Sequence, residues 1–257
     1  MILAVDIGNT NIVVGGYRED RLDFVVRLST DSTKTEYEYA AILGDILSLH
    51  HVDFGEVEGA IVSSVVPPLS PALCGAIGLL CPGVRVMQVG PGMKTGLNIR
   101  IDNPRELGAD MLATAVGAMV KYPLPAIIAD LGTATKITVV DEHKSFLGGA
   151  IMAGVMISLR ALSSRTAQLP HINLDDDVRA AIGTNTIDCM KSGTILGAAS
   201  MLDGMIQRYQ EALGEKATVV ACGGIAPAVV PYCRSQIILD DNLLLDGLLY
   251  LYHKNEA

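Results

Sequence analysis

The sequence predicts an α/β protein made of two similar mixed-sheet lobes. Three observations carry that prediction. An apolar strand ending in aspartate runs into a turn of glycine and short polar residues, after which a second strand resumes; this happens at residues 2–17 and again at 126–140. The two aspartates, Asp6 and Asp130, stand 124 residues apart (130 − 6), close to half of the 257-residue chain, which points to a duplicated architecture and not to a short repeat array. Behind each strand–turn–strand unit, strand-like and helix-like stretches alternate, as they do where helices cover a mixed or parallel sheet.

Taken in order, residues 2–6 read as a buried strand, Gly8, Asn9, Thr10 and Asn11 as a turn, and 12–17 as the returning strand. Residues 39–48 read as a helix, 59–65 as a strand, 69–80 as a helix and 84–89 as a strand. The stretch 103–110 is loop-like and leads into a helix that opens at 111–116. In the second half, strands at 126–130 and 137–140 flank another turn. They are followed by a long helical stretch at 194–213, a strand at 217–222 and a closing helix at 243–252. The junction falls between 115 and 122, giving lobes 1–118 and 119–257 with a cleft expected between them.

Composition narrows the function. Half of the residues are hydrophobic, ample for two aliphatic cores. Aromatics make up only 4%, with no Trp, and the net charge is −9. Single-stranded nucleic acid needs stacking platforms and duplexes need clustered Lys and Arg, so nucleic acid is not an expected partner. The five cysteines (Cys74, Cys81, Cys189, Cys222 and Cys233) are odd in number and form no C-x-x-C pair, so neither a zinc site nor a disulfide framework is expected. Asp6 interrupts the apolar start and no basic segment precedes it, unlike a secretory leader. No apolar run approaches the ~18 residues of a membrane span. A cytoplasmic protein without membrane contact is the expectation.

The turns carry the chemistry. The β- and γ-phosphates of a nucleotide need backbone N–H groups at close range, hence glycine, together with small hydroxyl or amide donors. The first turn offers Gly8, Asn9, Thr10 and Asn11 after Asp6; the second offers Gly132, Thr133 and Thr135 after Asp130. A third glycine pair, Gly223-Gly224, follows an apolar strand, where close backbone approach suits an adenosine. Neither a P-loop nor a Rossmann fingerprint is present. One such turn alone is ordinarily a plain hairpin. Two of them, each behind a strand-end aspartate, favour a phosphotransferase, with Asp6 placed to hold the hydration shell of Mg²⁺. Asp110, at the start of a helix, has two compatible readings. It is an N-cap, or a general base that takes the proton of an acceptor hydroxyl as phosphoryl transfer proceeds.

Together these pieces resemble type III pantothenate kinase, a bacterial family of the actin-like, sugar-kinase and Hsp70 ATPase superfamily. The resemblance rests on Asp6-Ile7-Gly8-Asn9-Thr10-Asn11-Ile12, Arg27-Leu28-Ser29-Thr30-Asp31, Asn103-Pro104-Arg105-Glu106 and Gly108-Ala109-Asp110. It continues through Asp130-Leu131-Gly132-Thr133-Ala134-Thr135, Gly148-Gly149-Ala150-Ile151, Asn185-Thr186 before Ser192-Gly193, and Gly223-Gly224. It implies the actin-like (ribonuclease H-like) fold and ATP-dependent phosphorylation of pantothenate, the first step of coenzyme A synthesis. ATP would be bound by Asp6, Ile7, Gly8, Asn9, Thr10, Asn11, Ile12, Val13 and Thr133, with Asp6 serving Mg²⁺ through water. Asp130 would hold a monovalent cation, K⁺ or NH₄⁺. Pantothenate would meet Gly108, Ala109, Asp110, Met111 and Thr186, with Asp110 as the proton acceptor, in a homodimer.

The sequence also departs from the family pattern. Met111 stands where an arginine usually follows the acceptor aspartate, Ile101 where a tyrosine is usual, and Lys136 where a threonine usually follows the second turn. A guanidinium provides five donors that Met cannot supply, and Arg105 and Arg165 are candidate replacements. Lys136 reads either as a cation near the γ-phosphate or as a strand residue facing solvent. Two other functions stay open at this stage: a kinase for a different small alcohol, and a nucleotide-binding regulator that has kept the fold.

Overall fold

The computed structural model describes residues 1–174 and 178–256. In chain order its strands and helices are β1 (Ile2–Ile7), β2 (Asn11–Arg18), β3 (Arg21–Ser29), α1 (Glu36–Leu49), β4 (Gly59–Ser64), α2 (Ser70–Leu80), β5 (Arg85–Gln88), β6 (Asn98–Ile99) and α3 (Ala109–Lys121). They continue as β7 (Ala126–Leu131), β8 (Ala134–Val140), β9 (Ser145–Ala153), α4 (Val155–Arg165), α5 (Thr186–Leu213), β10 (Thr218–Cys222), α6 (Ala226–Val229), β11 (Ile238–Leu239) and α7 (Leu243–Asn255). The chain forms two compact units. The first takes Met1–Gly96, Asn103–Val120 and Leu243–Ala257; the second takes Leu97–Asp102 and Lys121–Asn242.

The duplication read from the two aspartates is present strand for strand. The first sheet has the order β3-β2-β1-β4-β5, and the second β11-β10-β7-β8-β9-β6, which contains the same five-strand pattern read from the other edge. β1 pairs antiparallel with β2 and parallel with β4; β7 pairs antiparallel with β8 and parallel with β10. In both β1 and β7 every residue is buried except the fifth, which is Asp6 in one and Asp130 in the other. Such unbroken apolar runs are what a strand covered on both faces requires.

In the first unit Leu3, Val5, Ile7, Ile12 and Val14 pack against Tyr39, Leu43 and Leu47 of α1 and Leu73 and Ile77 of α2. In the second, Ile127, Ala129, Leu131 and Ile137 pack against Ile195, Ala199, Leu202 and Ile206 of α5. Two helix starts follow side-chain capping. Thr35 and Glu38 close a capping box that begins α1 three residues ahead of the expected Tyr39. The Asn185 side chain accepts from the Asp188 N–H at 3.0 Å, so α5 begins at Thr186 and not near 194. Among the described residues no helix is long and apolar enough to cross a membrane.

The closing helix departs from the simple division after residue 118, because α7 belongs to the first unit. A Cβ on Gly247 would lie 1.9 Å from the Ala113 carbonyl oxygen of α3, and one on Gly117 would lie 2.1 Å from that of Leu243. Only two glycines facing each other allow backbones this close. The Tyr17 hydroxyl also donates to Asp246 at 2.7 Å, tying α7 to β2. Gly247→Ala therefore has to push α3 and α7 apart, at an expected cost of about 1–3 kcal/mol. Thermal denaturation should show it as a fall of roughly 2–4 °C per kcal/mol for a protein of this size.

Candidate functional site

The first turn is short and tied down. Ile7 pairs with Ile12 across the hairpin, and the Gly8 N–H donates to the Asn11 carbonyl at 2.9 Å. A Cβ on Gly8 would meet that same carbonyl at 3.0 Å. Asn9 and Thr10 are exposed at the tip, whereas the Ile7 and Ile12 side chains are wholly buried and hold the turn by its base. Thr30, just past β3, was not among the expected site residues. Its hydroxyl donates to the Gly8 carbonyl at 2.6 Å and its N–H donates to the Thr10 carbonyl at 3.0 Å. Asp31 anchors the next stretch through the Lys34 ammonium at 2.7 Å and the Thr33 hydroxyl and N–H, and these hold its carboxyl well below the usual carboxylate range. The run Ser29-Thr30-Asp31 was the available signal for this clamp.

Asp6 sits one residue before the end of β1, opposite Val13 on β2 and in register with Ser63 on β4. The Ser63 hydroxyl is buried without a hydrogen-bond partner among the described residues, beside the strand end that carries Asp6. From the end of β4, the Val65 N–H donates to the Ile7 carbonyl at 3.0 Å.

The Gly108-Ala109-Asp110 segment lies in this same unit. Asp110 is the second residue of α3 and so stands inside its first turn, not at the capping position ahead of it. Its Oδ1 accepts the Met111 N–H at 2.7 Å. That turn folds the carboxylate back over Gly108, where a Cβ would lie 2.7 Å from Oδ1 and 4.0 Å from Val65 Cγ1. Val65 is thus bonded through its backbone to the base of the first turn, and its side chain lies on the side of Gly108 where a Cβ would project, in the unit that holds Asp6, Gly8 and Asp110. Met111 is half-buried and Arg105 exposed.

The second unit repeats the turn with one residue fewer. Leu131 pairs with Thr135, and the Gly132 N–H donates to the Ala134 carbonyl at 3.1 Å. The shorter turn places Asp130 opposite Lys136, where Asp6 faces Val13. Lys136 does not face solvent. Its side chain is 15% exposed and its Nζ lies 2.6 Å from Asp130 Oδ2, with the Asp130 side chain 18% exposed. Glycines crowd this carboxylate: a Cβ would stand 3.4 Å from Oδ1 on Gly132 and 2.7 Å on Gly223, whose φ is +92°. Cys222, in register with Asp130, is buried; burial first, and then the Asp130 charge, push its thiol pKa well above the ordinary value. Gly154 approaches the backbone of Thr133 and Gly132, where a Cβ would meet their carbonyl oxygens at 2.1 and 2.6 Å.

Thr186 opens α5 behind its Asn185 cap and lines a hollow of about 1110 Å³ shared with Thr135, Met152, Leu159, Cys189 and Met190. The structure therefore brings Thr186 and the second turn to one cavity within the second unit. Ile101 lies in this unit against Gly148, where a Cβ would meet its Cγ2 at 3.5 Å, and Arg165 is exposed at the end of α4.

Residues 2–208 match the family model of type III pantothenate kinase. The type III pantothenate kinase of Exiguobacterium sp. strain AT1b is 44% identical over 256 residues, covering 100% of both chains. That of Bacillus cytotoxicus is 40% identical, covering 99% of this chain and 97% of its own. Among solved structures, a putative 2-dehydro-3-deoxygalactonokinase from Sinorhizobium meliloti superposes with a TM-score of 0.60 at 14% identity, over 99% of this chain and 97% of its own. At that identity the likeness concerns the fold alone, the two-sheet fold of actin-like ATPases and sugar kinases.

The clamp on the first turn is testable. Thr30→Val removes one hydrogen bond to the Gly8 carbonyl, worth about 1 kcal/mol. On the expectation that this turn holds the phosphates of ATP, ATP affinity measured by calorimetry should fall roughly fivefold, since 1.4 kcal/mol corresponds to tenfold.

Proposed function

The chain belongs to the type III pantothenate kinase family, and on that premise we propose that it transfers the γ-phosphoryl group of ATP to the hydroxyl of pantothenate, giving 4′-phosphopantothenate and ADP, the first step of coenzyme A synthesis. The geometric observation that carries this reading is the meeting of two motifs at Val65. Val65 is bonded to the base of the first turn and flanks the space a Cβ on Gly108 would take, which supports a reading that sets the turn and the Asp110 carboxylate on the same substrate pair.

In the reaction the acceptor oxygen bonds to the γ-phosphorus, the bond from that phosphorus to the bridging oxygen breaks, and ADP leaves. Asp110 takes the hydroxyl proton on its carboxylate. Phosphoryl transfer runs through a loose transition state, so a positioned carboxylate suffices and positioning is most of the catalysis. The N–H groups of the Gly8–Asn11 turn, with Asn9 and Thr10 exposed at its tip, receive the phosphates of ATP, and Ile12 and Val13 complete the segment. Thr133 in the second unit is assigned to ATP, and Gly108, Ala109, Met111 and Thr186 to pantothenate.

Mg²⁺ takes one or two carboxylates and fills its shell with phosphate oxygens and water. Asp6 suits that role at a strand end, and among the described residues no three His, Cys, Asp or Glu side chains form a ready metal cage. When bound, the ion neutralises charge on the β- and γ-phosphates. A K⁺ or NH₄⁺ ion, which the resemblance implies at Asp130, does not fit beside a lysine that already neutralises the carboxylate. A homodimer is supported by Ile151, Ile157, Leu162 and Ile187 of the second unit, apolar side chains between 42% and 67% exposed. The cytoplasm suits the five free cysteines.

Asp110→Asn should lower kcat by about 10²–10⁴, the range for losing a general base, with little change in KM for ATP. Steady-state assays with ATP, Mg²⁺ and pantothenate measure this, and equal kcat for wild type and variant would remove Asp110 from the reaction. Running the wild type against a panel of small alcohols tests the acceptor. Clear preference for pantothenate is expected despite Met111; preference for another alcohol would assign this chain a different substrate. Adding EDTA should abolish turnover and excess Mg²⁺ should restore it.

A further inference from the structure

The two aspartates hold the same place in duplicated sheets, yet their electrostatic settings differ. Asp6 faces Val13 across its hairpin, whereas Asp130 faces Lys136, with the ammonium 2.6 Å from Oδ2. This pair is built in. Cross-strand register sets it, both side chains are less than a fifth exposed, and a Cβ on Gly223 would stand 2.7 Å from the other carboxylate oxygen, so only glycine fits there. Cys222, the in-register neighbour, stays a neutral thiol, so it adds no charge of its own.

We infer that the Lys136 ammonium acts as a resident monovalent cation on Asp130, so that turnover needs neither K⁺ nor NH₄⁺. The inference rests on the proposed kinase reading. The chemistry matches closely: a lysine head group is an ammonium ion carrying one alkyl arm, with the same charge and donor type as NH₄⁺. Tethering favours the lysine over a free ion, because a group attached nearby acts at an effective concentration of roughly millimolar or higher. A second cation on the same carboxylate would also sit against a like charge in a largely buried place, where repulsion is poorly screened.

The test uses the full-length protein freed of alkali metals, with ATP supplied as its Tris salt, Mg²⁺, pantothenate, and either choline chloride or KCl at equal ionic strength. Wild-type rates in the two salts should agree within about twofold, a difference well under 1 kcal/mol. Lys136→Thr and Lys136→Gln should lose roughly tenfold or more in choline, the equivalent of about 1.4 kcal/mol, and recover when KCl or NH₄Cl is added. Wild type that is activated tenfold or more by K⁺ would overturn the inference, as would variants that keep the wild-type rate in choline. If the variants do not fold, the wild-type salt comparison decides alone. If pantothenate is not phosphorylated in any salt, the kinase reading fails instead. The inference is then read from the melting-temperature rise that Mg-ATP produces in wild type: equal rises in choline and KCl uphold it, and a rise confined to KCl refutes it.

Discussion

In both sheets the strand that carries the aspartate, β1 or β7, has one antiparallel and one parallel neighbour, and the carboxylate stands near that strand's end. The antiparallel partner of β1 leaves through a tight turn, while the parallel partner β4 arrives by a longer crossover and finishes beside the same end. A turn, a strand-end carboxylate and the segment that follows the parallel strand are therefore forced together at one edge of the core. The strand itself is sealed on both faces, so its polar group can stand only near that end, and Asp6 and Asp130 do so at the fifth position of β1 and β7.

This constraint also explains why ordinary-looking contacts matter. Thr30 closes the first turn from the side, with its hydroxyl on Gly8 and its backbone on Thr10. Val65 bonds to the base of that turn and flanks the space a Cβ on Gly108 would take. Neither residue carries a charge, yet both fix the backbone around the first turn. A turn with no side support would sample many arrangements, and under the proposed kinase reading positioning is most of what the site supplies.

Duplication does not require equal electrostatics. The second turn is one residue shorter than the first, and that single difference slides β8 so that a lysine, not a valine, faces the strand-end aspartate. In the first sheet the residue in register with the aspartate is an uncharged valine. The lysine turns the second strand end into an ion pair. A small change in loop length thus separates two sites that share one architecture.

Much was legible in residue order alone. The strand–turn–strand units, the paired aspartates and the Gly108-Ala109-Asp110 segment are local patterns, because burial on both faces of a strand and the demands of a tight turn write themselves into neighbouring residues. Less legible were β3 and β9, which the sequence reading left out: β3 mixes charged and apolar residues along a mostly exposed or half-exposed strand, and β9 is apolar but interrupted by Gly148-Gly149, which weaken a strand signal. The start of α5 was missed because its signal is one capping asparagine, not a hydrophobic period. The place of α7 in the first unit depends on Gly117 and Gly247 facing each other from helices far apart in the chain, and the bond from Lys136 to Asp130 depends on hairpin register. Sequence by itself determined the strand–turn–strand units and the family, because both are written in short runs of neighbouring residues. Only the tertiary structure decided which charge answers Asp130 and which helix closes the first unit, because both depend on contacts between segments that the order of residues does not bring together.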